Sequence, residues 1–309
     1  MTHRLDDLMT QLTEPTFAPS IAMQEPAPTP TETTIIRPKR GWIGIDWPEM
    51  VRFRELLFFL VWRDVKVKYK QAVLGFAWAI FIPILSMVVY SVAGGLFGLN
   101  RRVDSLGDPK LYPLYIFAGL IPWLFIQRAL SDGGNSLLSQ QALMTKVYLP
   151  RLFLPMASIG SALIDMFIMF MMLIALGGYF HLSAGWSPSW QIVFLPPLFV
   201  LTLIAALGLA FTFSAAIVLY RDLRFLIPFI TQFGLWFSAV VFPPSVLGQY
   251  KNWIALNPIS GIISGYRSAI LGLPWEWPLL LSSVVFCPIF MIFGLFYFKR
   301  VERRFADIA

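Results

Sequence analysis

Five charged residues, Arg63, Asp64, Lys66, Lys68 and Lys70, stand directly ahead of an apolar segment that runs almost unbroken to residue 99. In helical spacing Arg63, Lys66 and Lys70 share a face, and Asp64 and Lys68 stand at i,i+4, the spacing of a surface ion pair. Guanidinium and ammonium groups beside Trp42, Trp47 and Trp62 suit a helix lying in a lipid interface. The alternation VKVKYK suits a strand equally, so periodicity leaves both conformations open. Such a cluster could anchor a helix at a lipid surface, bind nucleic acid or dock a soluble partner.

Other reactive constellations are missing from the sequence. It contains no G-x-x-x-x-G-K-[ST] loop, so nothing cradles ATP in the P-loop manner. GxSxG, HExxH and DxD are absent too. The one cysteine, Cys287, lies in an apolar run, and His3 and His181 are too few for a histidine metal centre. Asp165 is the ionisable group clearly near mid-membrane, which makes it a functional hypothesis by default. A lone carboxylate reads here as hydrogen-bonded within the helix bundle, because a proton relay needs a chain of such groups. Arg128, near the inner end of its span, is expected to snorkel to the interface.

The elements that must position these groups follow from composition. Of 309 residues 57% are apolar and only 13% charged, about half the charged share of a soluble domain. The chain is therefore expected to be an all-α integral membrane protein. A span needs roughly 20 apolar residues, and six candidates lie at about 72–98, 111–130, 150–180, 191–219, 225–243 and 278–298. With the N-terminus inside, the inner segments from Arg37 onward hold seventeen Lys and Arg and the outer ones five, so both termini should face the cytoplasm. That bias accounts for the net charge of +7 without a nucleic-acid partner.

Residues 1–40, rich in Pro and Thr, read as a disordered tail. Residues 41–71 read as the basic interfacial amphipathic segment, 72–298 as the six-span body and 299–309 as a basic cytoplasmic C-terminus. Pro83 should kink the first span unless neighbours satisfy the freed carbonyl. Gly94 and Gly98 form a GxxxG pair that fits packing within one chain or between two. The stretch between spans five and six is too apolar for a free loop and too broken by Pro and Gly for a span. It reads as a helical hairpin dipping back from the outer face, or as an amphipathic hairpin on that surface.

Two aromatic stripes complete the inventory. Phe229, Phe233, Trp236 and Phe237 fall on one helical face of span five. Phe76, Pro83, Tyr90 and Phe97 recur every seven residues along span one. Rings pack against sugar C–H groups without a fixed hydrogen-bond register, although such stripes also serve packing and lipid contact.

Four stretches together resemble ABC-type permeases that export lipid-linked polysaccharides and polyol phosphates. They are WRDVKVKYKQAVLGFAWAIFIPIL, LMTKVYLPRLFLPMASIGSALIDMFI, LYRDLRFLIPFITQFGLWFSAVVFP and ALNPISGIISGYRSAILG, in order over roughly residues 50–300. The resemblance implies six spans per subunit, a homodimer around a translocation path, and two separate ATP-binding subunits on the cytoplasmic face. ATP and Mg would then sit on the partner, and this chain would bind no cofactor and would not be an enzyme. The basic helix with Arg63, Lys66, Lys68 and Lys70 would border the entrance for lipid-linked substrate and meet its phosphate or anionic lipid. Lys146, Tyr220, Arg221, Asp222 and Arg224 would couple to the ATPase, with Asn135 or Ser136 capping a helix in the loop 134–149. Tyr90, Phe97, Phe229, Phe233, Trp236 and Phe237 would line the path. The implied function is export of O-antigen, capsule or teichoic acid across the cytoplasmic membrane. The rivals are a related permease for a smaller drug or lipid, a polyprenyl-dependent enzyme and a self-contained channel.

Overall fold

The computed structural model describes residues 47–70, 75–103, 106–144, 146 and 148–302, all within one unit. The expectations for residues 1–40 and for Trp42 lie outside the described residues, as do residues 303–309. Every regular element among the described residues is helical. Two helices precede the spans, α1 (Trp47–Arg52) and α2 (Arg54–Lys70). The VKVKYK stretch is therefore helix, which satisfies each amide within its own segment where no described strand could pair with it.

The bundle follows as α3 (Gly75–Leu96), α4 (Tyr112–Arg128), α5 (Gly134–Ser139), α6 (Gln141–Met144), α7 (Phe153–Ala184) and α8 (Leu195–Leu219). After it come α9 (Leu223–Phe237), α10 (Lys251–Ile254), α11 (Pro258–Leu271) and α12 (Trp277–Glu302). Five helical runs are long and apolar enough to cross a membrane: 76–96, 109–139, 153–184, 190–219 and 277–302. Helix α4 forms the centre, with its residues from Tyr112 to Ile126 almost all buried. The chain is an all-α multi-pass membrane protein.

The fifth expected span departs from this pattern. Helix α9 has 15 residues, about 22 Å at 1.5 Å per residue, short of a hydrocarbon core of about 30 Å. The chain leaves the helix at Ser238, and Ala239 takes a left-handed φ of 53°. Val240 and Val241, expected in the span, are buried in irregular backbone instead. Helix α11 follows as a deeply buried hairpin arm packed on α12, α4 and α8. Asn257 caps it through Ile259 N at 3.0 Å, and Gly272 ends it in the left-handed conformation.

Glycines set the closest helix approaches. A Cβ at Gly94 would collide with the Tyr112 ring, so this half of GxxxG packs within the chain, whereas Gly98 (φ 65°) turns the chain beyond α3. Helices α8 and α12 make the most extensive pairing in the bundle. There a Cβ on Gly208 would lie 2.9 Å from the Met291 backbone, and one on Gly294 2.6 Å from Gly208 O. Backbone cannot swing aside as a side-chain tip can, so Gly294→Val should destabilise the bundle by about 1–3 kcal/mol. Gly95→Val, with nothing within 4 Å of its new Cβ, should not. Thermal unfolding of the purified protein in detergent checks the pair, and equal midpoints would refute the close packing.

Candidate functional site

Helix α2 is fastened to α7 before any charge is considered. Leu60 is 1% exposed in an apolar cluster with Leu137, Leu152, Phe153 and Leu154. Next to it Val61 presses on Gly160, where a Cβ would not fit. This seating brings the C-terminal end of α2 over Asp165.

Asp165 is 3% exposed and takes hydrogen bonds from three sides. The Lys68 ammonium and the Tyr69 hydroxyl donate to it from α2, and Arg128 Nη1 donates from α4 at 2.7 Å. A carboxylate at this depth is costly unless paired and hydrogen-bonded. The expected lone carboxylate is thus the centre of a four-residue cluster, and Arg128 turns inward to it rather than snorkelling. The i,i+4 pair of Asp64 with Lys68 is not made. Instead Asp64 accepts from Arg63 at 2.7 Å, and Arg63 also reaches Gln140 Oε1 at 2.6 Å. The physical reason is competition: an exposed helical ion pair is worth about 0.3–0.5 kcal/mol, whereas a carboxylate only 3% exposed is costly without close cationic partners.

Burial, and then the neighbouring Arg128, pull the Lys68 ammonium below the ordinary lysine value, against the raising influence of Asp165. The unfolded chain holds that proton up to the ordinary value. Stability therefore rises with pH across the alkaline window between the two. Tyr69 shifts the other way, its phenol held protonated mainly by burial and then by its bond to Asp165.

A cavity of about 690 Å³ opens between α2, residues 131–143 and α7. Arg63 and Lys68 line it with Asp64, Asp132, Asn135 and Gln140. A second cavity of about 180 Å³ lies behind the cluster, against Pro83, Gln127, Arg128 and Asp165. The floor of the larger one includes a π-helical turn, Ala129–Gly133, that joins α4 to α5 without a break, a distortion frequent at functional sites. This continuity overturns the expected helix cap in the loop 134–149. Asn135 donates back to Ser131 O at 2.8 Å and Ser136 to Gly133 O at 2.6 Å, both inside a running helix.

The remaining expected site residues divide by exposure. Lys66 and Lys70 face outward from α2, with the Lys66 ammonium 5.4 Å above the Trp62 ring. Lys146 is exposed, as are Tyr220, Arg221 and Asp222 on the tight turn between α8 and α9 and Arg224 in the first turn of α9. On α9, Phe229, Phe233, Trp236 and Phe237 all point away from the core, while Ile227, Thr231 and Leu235 pack inward. The span-one stripe splits: Phe76 and Phe97 are exposed, whereas Pro83 is buried and Tyr90 packs on the core. A seven-residue repeat drifts by about 20° per heptad on a straight helix, and Phe97 lies past the end of α3.

One residue counted in the sequence only as an outer basic charge is internal. Arg267, 2% exposed, donates to Tyr115 O at 3.2 Å and Ala239 O at 2.8 Å, and also to Val240 O. Its guanidinium lies 3.9 Å above the Tyr115 ring. It thereby clamps the backbone that ends α9, and the signal for it was an arginine inside the apolar stretch GYRSAILG.

Asp165→Leu should strand two cations and cost about 3–5 kcal/mol of stability. Adding Lys68→Met, which removes one of those cations, should recover part of the loss. Paired thermal melts measure this, and additive losses in the double variant would refute the coupling.

Among curated proteins, the chain is 28% identical over 225 residues to the O-antigen export system permease protein RfbA of Myxococcus xanthus, covering 71% of this chain and 82% of that one. It is 24% identical over 257 residues to the protein of the same name from Klebsiella pneumoniae, covering 82% and 95%. The ABC-2 type transporter family matches residues 55–271, from the first turn of α2 to the end of α11. With that match covering most of the bundle, the chain belongs to the ABC-2 type transporter family.

Proposed function

We propose that this chain is the membrane-spanning subunit of an ATP-driven exporter that moves a lipid-linked polysaccharide outward across the cytoplasmic membrane. The observation that carries the reading is the seating of α2. It lays a charged helix along the end of the bundle where α4 ends and α7 begins, and it walls a cavity beside a lipid-facing surface. Similarity to permeases named for O-antigen export supports the substrate class. The excess of Lys and Arg at this end supports a cytoplasmic position for it and for both termini.

In this reading two copies pair around a path, and two separate ATP-binding subunits bind the cytoplasmic face and carry ATP and Mg. The exposed turn with Tyr220, Arg221, Asp222 and Arg224, together with Lys146, docks on them. Rigid, short and capped by helices on both sides, the turn can pass a push to α8 and α9 together. The outward-facing rings of Phe229, Phe233, Trp236 and Phe237, with Tyr90 and Phe97 of span one, offer sugar faces a surface without fixed register. Lys66 and Lys70 meet the phosphate of the carrier lipid at headgroup level, each contributing about 1 kcal/mol.

Depleting the protein in its own cell, followed by quantifying lipid-linked glycan on each face of the membrane, tests the function. Glycan should accumulate inside and vanish from the surface; an unchanged distribution would sink the reading. Replacing Arg221 and Asp222 together by Ala should leave the protein folded and ATP hydrolysis running while export falls at least tenfold. Normal export in that variant would remove the turn from the coupling path.

A further inference from the structure

The cations that line the large cavity are already spoken for. Arg63 is paired with Asp64, and Lys68 with Asp165. The ionisable groups lining the cavity, Arg63, Lys68, Asp64 and Asp132, balance to zero, and Arg128 and Asp165 beneath them balance as well. A phosphate entering would have to draw Arg63 or Lys68 off a partly or wholly buried carboxylate and leave that carboxylate uncompensated. The cations of α2 without a carboxylate partner among the described residues, Arg54 at its start and Lys66 and Lys70 toward its end, are exposed on the helix outside this lining.

What the cavity does offer is unused neutral hydrogen-bonding capacity. Asn135 spends its amide N–H on Ser131 O, and its Oδ1 takes no bond from the described residues. Gln140 accepts from Arg63 through Oε1, and its Nε2 donates to none of the described residues. Among the described residues the Asp132 carboxylate receives only the Ser131 hydroxyl, at 3.2 Å. Two planar amides and a carboxylate give a mix of donors and acceptors that matches adjacent hydroxyls, each of which donates and accepts. The volume, about 690 Å³, falls in the range of small-molecule sites, about 300–1,000 Å³.

We propose that this cavity binds an uncharged, hydroxyl-rich headgroup, a sugar residue of the lipid-linked glycan, while its phosphate stays outside on Lys66 and Lys70. Helix α2 then reads the substrate with two faces, sugar on the cavity side and anion on the lipid side. The inference rests on the exporter reading for the identity of the glycan, but the site is testable without transport.

The test uses the full chain in phosphatidylcholine nanodiscs, with dodecyl glucoside, mannoside and N-acetylglucosaminide as uncharged probes and dodecyl phosphate as the anionic one. At least one glycoside should bind saturably, with affinity unchanged by salt, and Asp132→Ala with Asn135→Ala should weaken it at least tenfold. Dodecyl phosphate should bind independently, weaken with salt, and respond to Lys66→Gln with Lys70→Gln instead. Retained phosphate binding in the Asp132/Asn135 variant shows that it is folded, and Leu143→Trp, which fills the cavity without removing a polar group, should also abolish glycoside binding. No saturable glycoside binding, equal glycoside affinity in wild type and both cavity variants, or phosphate displacing glycoside from one shared site would each overturn the proposal. Failure here, with glycan still trapped inside on depletion, removes the cavity site alone; an unchanged glycan distribution removes the exporter reading.

Discussion

A carboxylate that cannot be left alone organises the end of the bundle where α2 lies. Asp165 is only 3% exposed, so the fold must deliver cations to it. It draws them from two directions, Arg128 from the end of α4 and Lys68 with Tyr69 from α2. Helix α2 is otherwise held by an apolar contact at Leu60 and a close approach at Gly160. The three attachments fix the tilt of a helix that is too charged to enter hydrocarbon. The larger cavity lies under the charged side of α2, which walls it, and the smaller lies behind Asp165 between α3, α4 and α7.

Much of the architecture was legible because bilayer length and charge asymmetry are one-dimensional signals. The boundaries of α8 and α12, and the hairpin arm at α11, lie close to where apolar runs and Pro/Gly punctuation put them. Side-chain pairing is three-dimensional, and there the sequence misled. Asp64 and Lys68 have ideal helical spacing, yet each prefers another partner, because burial of Asp165 outweighs a solvent-exposed pair. Arg128 and Arg267 look like flank and surface charges in one dimension, and both turn inward to acceptors from other helices. Asn135 and Ser136 have the chemistry of caps, but the π turn before them lets the helix run on, so no end exists to cap.

The two ends of the molecule solve the same problem differently. At the α2 end, a buried charge is satisfied by opposite charges. At the far end, buried Arg267 is satisfied by backbone carbonyls, Tyr115 O of α4 and two that the irregular segment after α9 leaves without helical partners. Each supplies what the other lacks, a cation for orphan oxygens and orphan oxygens for a cation. The clamp also explains why Ala239 can hold a left-handed φ, since its carbonyl and that of Val240 are gripped from α11.

The length of α9 has a consequence for the surrounding lipid. A helix of about 22 Å standing among neighbours of 22 to 32 residues cannot cover a full-thickness hydrocarbon slab. Acyl chains beside it must shorten, tilt or give way to headgroups and water. The aromatic stripe on its outward face therefore ends short of a full hydrocarbon core, and the buried irregular segment from Ser238 to Val241 carries the chain onward. Over that face helix α9 alone does not bridge the distance between the two aqueous sides.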